Sequence, residues 1–322
     1  MSPESFVLRR LAGDRTRPVM LAIAGDSAAG KSTLTRGLVE ALADSGVSPI
    51  CVDDYHRYDR LERRELPFTP LNPACNYVGI VEQHMQLLAM GEPILKPVYD
   101  HNSGTLGRPV LVEPSRNVIV EGLLPLHTRL SRACFDLSVY LDPPEAIRRA
   151  WKVRRDTLER NYTEAQVLAE LERREPDAAL SIRPQRRWAD IVVRFAPIVE
   201  RGEDEQALLS ATLLLRPTAP HPDLSSILSE DTQDAVHLKL MRDDDGKPVD
   251  ALHVHGYATR ETTRRVEEAI WESLRMEHAF PQNLGVIEPG VRSEPLAVVQ
   301  LILLYHLLMT GRTQLRELEV TA

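Results

Sequence analysis

The sequence predicts an α/β fold, a mostly parallel twisted sheet flanked by helices, with a mixed α+β extension at the C-terminus. Three observations carry that prediction. The apolar run Val19 to Ala24 leads straight into Gly25-x-x-x-x-Gly30-Lys31-Ser32. A segment with helical spacing and a second apolar run follow, which makes a strand–helix–strand unit with a right-handed crossover. Further short strand-like runs then alternate with longer segments as far as Phe195.

Composition narrows the function classes. The 322 residues are 43% hydrophobic, as expected of a globular chain with a sizeable core. A net charge of −8 argues against nucleic acid or an anionic membrane as a general partner, yet allows a local basic pocket. Cys51, Cys75 and Cys134 lack the paired spacing of a zinc site or a disulfide framework, so a reducing, cytoplasmic setting is expected. The first 18 residues hold no long apolar segment, so no signal peptide is expected. The run Leu296 to Met309 is interrupted by Gln300 and His306 and reads as a buried helix.

The loop after the first strand has the spacing of a phosphate cradle. Its glycines let the backbone bend until successive N–H groups face a polyphosphate, and the next helix adds its positive N-terminal end. The expected nucleotide contacts are Gly25, Asp26, Ser27, Ala28, Ala29, Gly30, Lys31, Ser32 and Thr33. Lys31 is of a length to reach the β- and γ-phosphates of ATP, and the Ser32 hydroxyl suits Mg²⁺.

A helix is expected over Lys31 to about Ala43, with Leu34, Leu38, Val39 and Leu42 on its inner face and Gly46 after it. The second strand, Pro49 to Val52, runs parallel to the first, so both end at one sheet edge. That edge carries Asp53-Asp54-Tyr55-His56-Arg57-Tyr58-Asp59-Arg60. A carboxylate there suits a base acting on a substrate hydroxyl, and His56, Arg57 and Arg60 suit an anionic second substrate. In isolation the same octet would read as a solvated charged loop. Its place beside the phosphate loop favours the functional reading.

Residues 66 to 80 read as a Pro-rich loop, followed by a helix over Val81 to Met90 that Gly91 closes. Lys96 to His101 is an edge strand turning at Asn102-Ser103-Gly104. The strand Asn117 to Val120 ends in Glu121, a carboxylate placed for a hydrated Mg²⁺. Phe135 to Leu141 is a further strand, cut off at Pro143-Pro144. Pro144 to Glu170 reads as strongly helical, with Arg148, Arg149, Lys152, Arg154, Arg155 and Arg160 along it. It is either a solvated basic face or a lid that brings cations to the γ-phosphoryl group and excludes water. Asp190 to Phe195 is the last core strand, and 199–207 begins a helix or linker. The proline-rich stretch Arg216 to Asp223 marks a boundary between a core over 1–215 and an extension over 216–322 packed on it. The extension is expected to hold strands Ala235 to Met241 and Ala251 to Val254, a helix over Arg260 to Arg275 opened by Thr259, and a helix over 296–310. A short helix is expected at Phe6 to Leu11. His253 and His255 share one strand face. With no third ligand evident, a solvent-facing or interface pair is expected over a metal pair.

Taken in order, these segments resemble the phosphoribulokinase/uridine kinase family of P-loop kinases. The resemblance runs through GDSAAGKST from Gly25, CVDDYHRYDR from Cys51, Leu71-Asn72-Pro73, Lys96 to Gly104 and Asn117 to Leu123. It continues through Lys152-Val153-Arg154-Arg155-Asp156, Arg160-Asn161-Tyr162, Arg183-Pro184-Gln185 and Ala189-Asp190. It implies transfer of the ATP γ-phosphoryl group to D-ribulose 5-phosphate, giving ribulose 1,5-bisphosphate. It assigns Asp53 as the base, Glu121 as the acidic metal ligand beside Ser32, and Lys152, Arg155, Asp156 and Arg160 to functional positions. Arg155 and Arg160 would neutralise transition-state charge, Lys152 would assist at the nucleotide, and Tyr99 and His101 would line the acceptor pocket. Arg148, Arg149 and Arg154 keep the solvated reading. A homodimer is implied by the resemblance alone.

The sequence departs from the family at the redox cysteines of its chloroplast members. Ala29 stands where they have the P-loop cysteine, Cys51 matches the second, and no cysteine follows Cys134. Thioredoxin-type switching by those pairs is therefore not expected. Two rival readings are a kinase of the same family acting on uridine or another sugar, and a non-catalytic nucleotide-dependent regulator. The cations of His56, Arg57 and Arg60 disfavour a neutral nucleoside. The joint presence of Asp53, Glu121, Arg155 and Arg160 disfavours a mere binder.

Overall fold

The computed structural model describes residues 17–198, 202–203, 207–228, 235–275 and 280–321. The helix expected at Phe6 to Leu11 and most of 199–207 lie outside them. The chain opens with β1 (Val19–Gly25), α1 (Lys31–Ala41) and β2 (Val47–Cys51). It continues with α2 (Val78–Ala89), the short strands β3 (Ile94–Lys96), β4 (Tyr99–Asp100), β5 (Thr105–Leu106) and β6 (Val110–Val112), then β7 (Asn117–Gly122) and β8 (Leu137–Leu141). Next come α3 (Glu145–Glu159), α4 (Glu164–Asp177), β9 (Ile191–Ala196) and β10 (Ser210–Leu215). The chain closes with β11 (Val236–Arg242), β12 (Pro248–Val254), α5 (Arg260–Ser273) and α6 (Glu294–Thr321).

One sheet of eight strands, in the order β11-β12-β10-β9-β8-β1-β7-β2, organises these elements. β2, β7, β1, β8 and β9 pair in parallel, whereas β10, β12 and β11 pair antiparallel. A parallel strand needs both faces covered, and β1 is buried along its whole length. Val19, Leu21 and Ile23 point to the face that packs with Leu34 and Leu38 of α1 and Leu301 and Leu304 of α6. Met20 points to the other, with Ile50, Val118, Val120 and Met85. This period-two split is what keeps the register fixed.

The stretch from Pro144 to Glu170 is helical as expected, in two helices. It breaks at Asn161, whose φ of 57° ends α3, and restarts where Thr163 and Gln166 form a reciprocal capping box. The C-terminal strands continue the core sheet: β10 pairs with β9, and β12 and β11 follow it. The two strands expected at Ala235 and Ala251 are present, joined by a tight turn around Asp245-Gly246. The late apolar run lies in α6. That helix is long and apolar enough to cross a membrane by length and composition, yet 72% of its most apolar window is buried inside the fold.

α6 is locked to α1 by one side chain. Gln300 is fully buried, donates from Nε2 to the carbonyls of Leu34 (3.2 Å) and Thr33 (3.4 Å), and accepts from the Gly285 N–H (2.7 Å). The approach requires glycine opposite it, because a Cβ on Gly37 would lie 2.1 Å from Gln300 Nε2. Helix propensity alone would favour alanine at position 37 by about 1 kcal/mol. Displacing a buried amide from its bonds costs more. The Gly37→Ala variant is therefore expected to be destabilised by about 1–3 kcal/mol in chemical denaturation.

Candidate active site

Three parallel strands end at one level. Ile23 of β1 and Cys51 of β2 both pair with Glu121 of β7, and Ala24 pairs with Gly122. The loop after β1, the turn after β2 and the end of β7 therefore meet at one edge. Ser32 Oγ donates to Glu121 Oε1 at 3.1 Å, so the two expected metal ligands already touch. Lys31 is buried, and its Nζ donates to the carbonyls of Gly25 (2.9 Å) and Asp26 (2.8 Å). Burial raises the Glu121 carboxyl above its ordinary range. Lys31 opposes that shift, and the Asp53 charge adds to it.

The two aspartates after β2 have different surroundings. Asp54 forms an ion pair with Lys96 and accepts the Tyr99 N–H at 3.2 Å. Asp53 accepts only the Leu123 N–H through Oδ1, at 2.8 Å, and Oδ2 has no partner among the described residues. Gly122 makes room for it: a Cβ there would lie 2.4 Å from Val52 Cγ2 and 2.8 Å from Asp53 Oδ1. Asp54 is thus absorbed into the scaffold, while Asp53 keeps one carboxylate oxygen without a hydrogen-bond partner among the described residues.

The residues expected to hold the acceptor form an aromatic and cationic cluster. His56 and His101 flank Tyr99 edge-on, with ring centroids 4.9 and 5.0 Å away. His56 Nδ1 bonds Asn76 Oδ1 at 2.7 Å. Arg60 donates to the carbonyls of Asn102 (3.1 Å) and His101 (2.5 Å), pinning the hairpin of β4 and β5. Arg57 does not join them: it is exposed and leans on Tyr77 and Tyr58, with the guanidinium 5.4 and 5.9 Å from the ring centroids. Arg63, not singled out in the sequence, is buried beside Tyr99 instead. It bonds the phenol and lies 4.8 Å from the ring centroid. Its Nη1 is a buried donor with no hydrogen-bond partner.

α3 presents the remaining expected residues around one buried carboxylate. Asp156 receives Lys152 at 2.7 Å, Arg155 at 2.9 Å and Arg160 at 3.5 Å. Burial alone would raise Asp156, but the bond from Lys152 and the other cations hold it below the ordinary carboxylate range. Burial, with the repulsion of Arg174, pulls Lys152 down to about 8 against the pull of Asp156. Arg160 lies within electrostatic reach of both Arg60 and His101, so the end of α3 faces the acceptor cluster. Two further residues hold the frame. Asp177 accepts from Thr69 and Asn72, tying the end of α4 to the Pro-rich loop. Buried Gln185 bonds Leu123 and Leu126. Among the described residues no cluster of three His, Cys, Asp or Glu side chains suits a metal ion, and the expected ligands Ser32 and Glu121 form a mixed pair.

The model of the phosphoribulokinase/uridine kinase family matches residues 20–201. The chain belongs to that family. Phosphoribulokinase from Synechocystis sp. is 37% identical over 198 residues, 62% of this chain and 60% of the relative. A chloroplastic phosphoribulokinase from Mesembryanthemum crystallinum is 32% identical over 231 residues, 66% of this chain and 58% of the relative. The chain thus spans about 60% of the length of these relatives. Uridine kinase from Oceanobacillus iheyensis is 31% identical over 187 residues, 56% of this chain and 87% of the relative. The structure of phosphoribulokinase from Rhodobacter spheroides matches with a TM-score of 0.55 at 17% identity, covering 79% of this chain and 98% of that one, which shows the shared fold.

The family member described here holds His56 neutral at pH 7, because burial lowers it to about 4 despite the nearby Asp53 charge. An unfolded histidine titrates near 6.5, so the native state binds fewer protons between those values. The stability from neutral His56 is therefore present above pH ~6.5 and lost as pH falls through that window. Denaturation midpoints measured against pH should show a shallower acid limb for His56→Asn than for the parent. The limb should not vanish, since burial and His221 hold His306 at about 3.

Proposed function

We propose that this chain is a kinase that transfers the γ-phosphoryl group of ATP to the C1 hydroxyl of D-ribulose 5-phosphate, yielding ribulose 1,5-bisphosphate and ADP. The observation that carries the reading is Arg63 Nη1, a buried donor left unpartnered in the acceptor cluster. It suits an acceptor phosphate, and a nucleoside has none to offer. Arg60 and His101 add to that wall.

The geometry supports the following roles. Lys31 and the loop amides grip the ATP phosphates. The Ser32 hydroxyl and Glu121 carboxylate offer the hard oxygen donors that Mg²⁺ takes, and Glu121 sits among acidic neighbours that a cation would relieve. When bound, Mg²⁺ would supply charge neutralisation at the β- and γ-oxygens. Asp53, through its unengaged oxygen, takes the proton of the attacking hydroxyl. Tyr99, His56 and His101 seat the sugar. Lys152, Arg155 and Arg160, oriented by Asp156, face the transferring group and neutralise its charge. The expected homodimer and cytoplasmic setting complete the reading.

A second reading, phosphorylation of uridine, is favoured by the coverage of the Oceanobacillus iheyensis relative. ADP release with Mg-ATP distinguishes the two across ribulose 5-phosphate, ribose 5-phosphate, uridine, glycerate and no acceptor. Turnover with ribulose 5-phosphate well above every other acceptor is expected. Turnover with uridine alone would replace the first reading by the second, and ATP binding without turnover on any acceptor would point to a regulator.

A further inference from the structure

Arg148 reads in the sequence as part of a solvated basic face. In the structure it is 5% exposed and lies against the phosphate loop. Nε and Nη2 bond the two oxygens of Glu145, each at 2.8 Å. Nη1 donates to the Ser27 carbonyl at 3.1 Å and stands 3.6 Å from Asp26 Oδ1. Three of the five guanidinium N–H donors are therefore bonded to the protein, and the side chain joins α3 to the loop.

The Ser27 carbonyl belongs to the peptide that carries the Ala28 N–H. All described peptides are trans, and in a trans peptide the C=O and N–H point in opposite directions. Holding the carbonyl toward α3 turns the Ala28 N–H the other way. Ala28 sits at φ 64°, the left-handed region that an L residue enters at a cost, so an external hold on this peptide has work to do.

We infer that Arg148 is a positioning residue that fixes the Ser27–Ala28 peptide for nucleotide binding and ties the loop to the helix bearing Lys152, Arg155 and Asp156. The inference rests on the proposed ATP site. It assigns Arg148 no contact with the nucleotide.

Calorimetric titration of Mg-ATP, without acceptor, tests it on the parent, Arg148→Met, Arg148→Lys and Glu145→Gln. In Arg148→Met the Kd should rise about tenfold, the effect of losing one charge-assisted hydrogen bond, while the KM for the acceptor stays within about twofold. Lysine, with one donor in reach of Ser27, should recover part of the loss. General destabilisation would lower the active fraction without moving Kd. An unchanged Kd in folded Arg148→Met overturns the inference. If that variant does not fold, Glu145→Gln, which frees one end of the guanidinium, should weaken ATP binding in the same direction, and no change there overturns it. A parent protein that does not bind ATP overturns the nucleotide site and this inference together, whereas normal binding by parent and variants alike overturns this inference alone.

Discussion

The site depends on the parallel register of β1, β7 and β2. Because Ile23 and Cys51 both pair with Glu121, three chain segments far apart in sequence leave the sheet at the same level. The phosphate loop, the Asp53 turn and Glu121 are then neighbours without any long loop having to carry them. The register is held by burial on both faces. A slip of one residue would exchange Leu21 and Ile23 with Met20 and Ala22 across the sheet and break both cores. Such a frame suits the proposed phosphoryl transfer, whose catalysis comes mainly from placement and charge.

Charge is distributed with the same economy. Asp54 and Asp156 are engaged by cations of the scaffold, while Asp53 keeps an oxygen open and Arg63 keeps a nitrogen open. Removing Asp156 would strand the buried Lys152 charge in a dry site, a heavier loss than the pair contributes when intact. The C-terminal region belongs to the same structure. Its strands lengthen the sheet beyond β9. Asp243, in the turn between β11 and β12, is held to about 2 because bonds from Arg216 and Arg186 outweigh its burial. Arg186 in turn bonds Asp142 at 2.9 Å, just after β8. The hairpin is thereby fastened to the strand beside the phosphate loop.

The parts legible in the sequence are those with local signals. The glycine spacing at Gly25 and Gly30, the strand ending in Glu121 and the Asp-Asp pair after β2 each announce themselves within ten residues. The break between α3 and α4 also had a local signature, Thr163-x-x-Gln166, hidden by the continuous run of basic residues before it. Other features were not legible because they depend on distant partners. Nothing in Glu62-Arg63-Arg64-Glu65 says which arginine turns inward: Arg63 is buried against Tyr99 and Arg64 is exposed. Arg148 differs from Arg149 and Arg154 in being buried and in bonding Ser27, 121 positions earlier. Arg57 was expected at the acceptor because of its neighbours in sequence, yet Tyr77 draws it to the surface. The joining of β10 to β9 reverses strand direction within one sheet, which periodicity alone does not reveal.

The most direct test of the central claim, that the sheet edge delivers Asp53 as the base to a formed ATP site, is a comparison of Asp53→Asn with the parent. ATP affinity and single-turnover rate with ribulose 5-phosphate would be measured side by side. The account expects near-parental ATP affinity with turnover reduced by about 10²–10⁴-fold, the usual contribution of a positioned base. Near-parental turnover in that variant would contradict it, and would remove Asp53 from the chemistry.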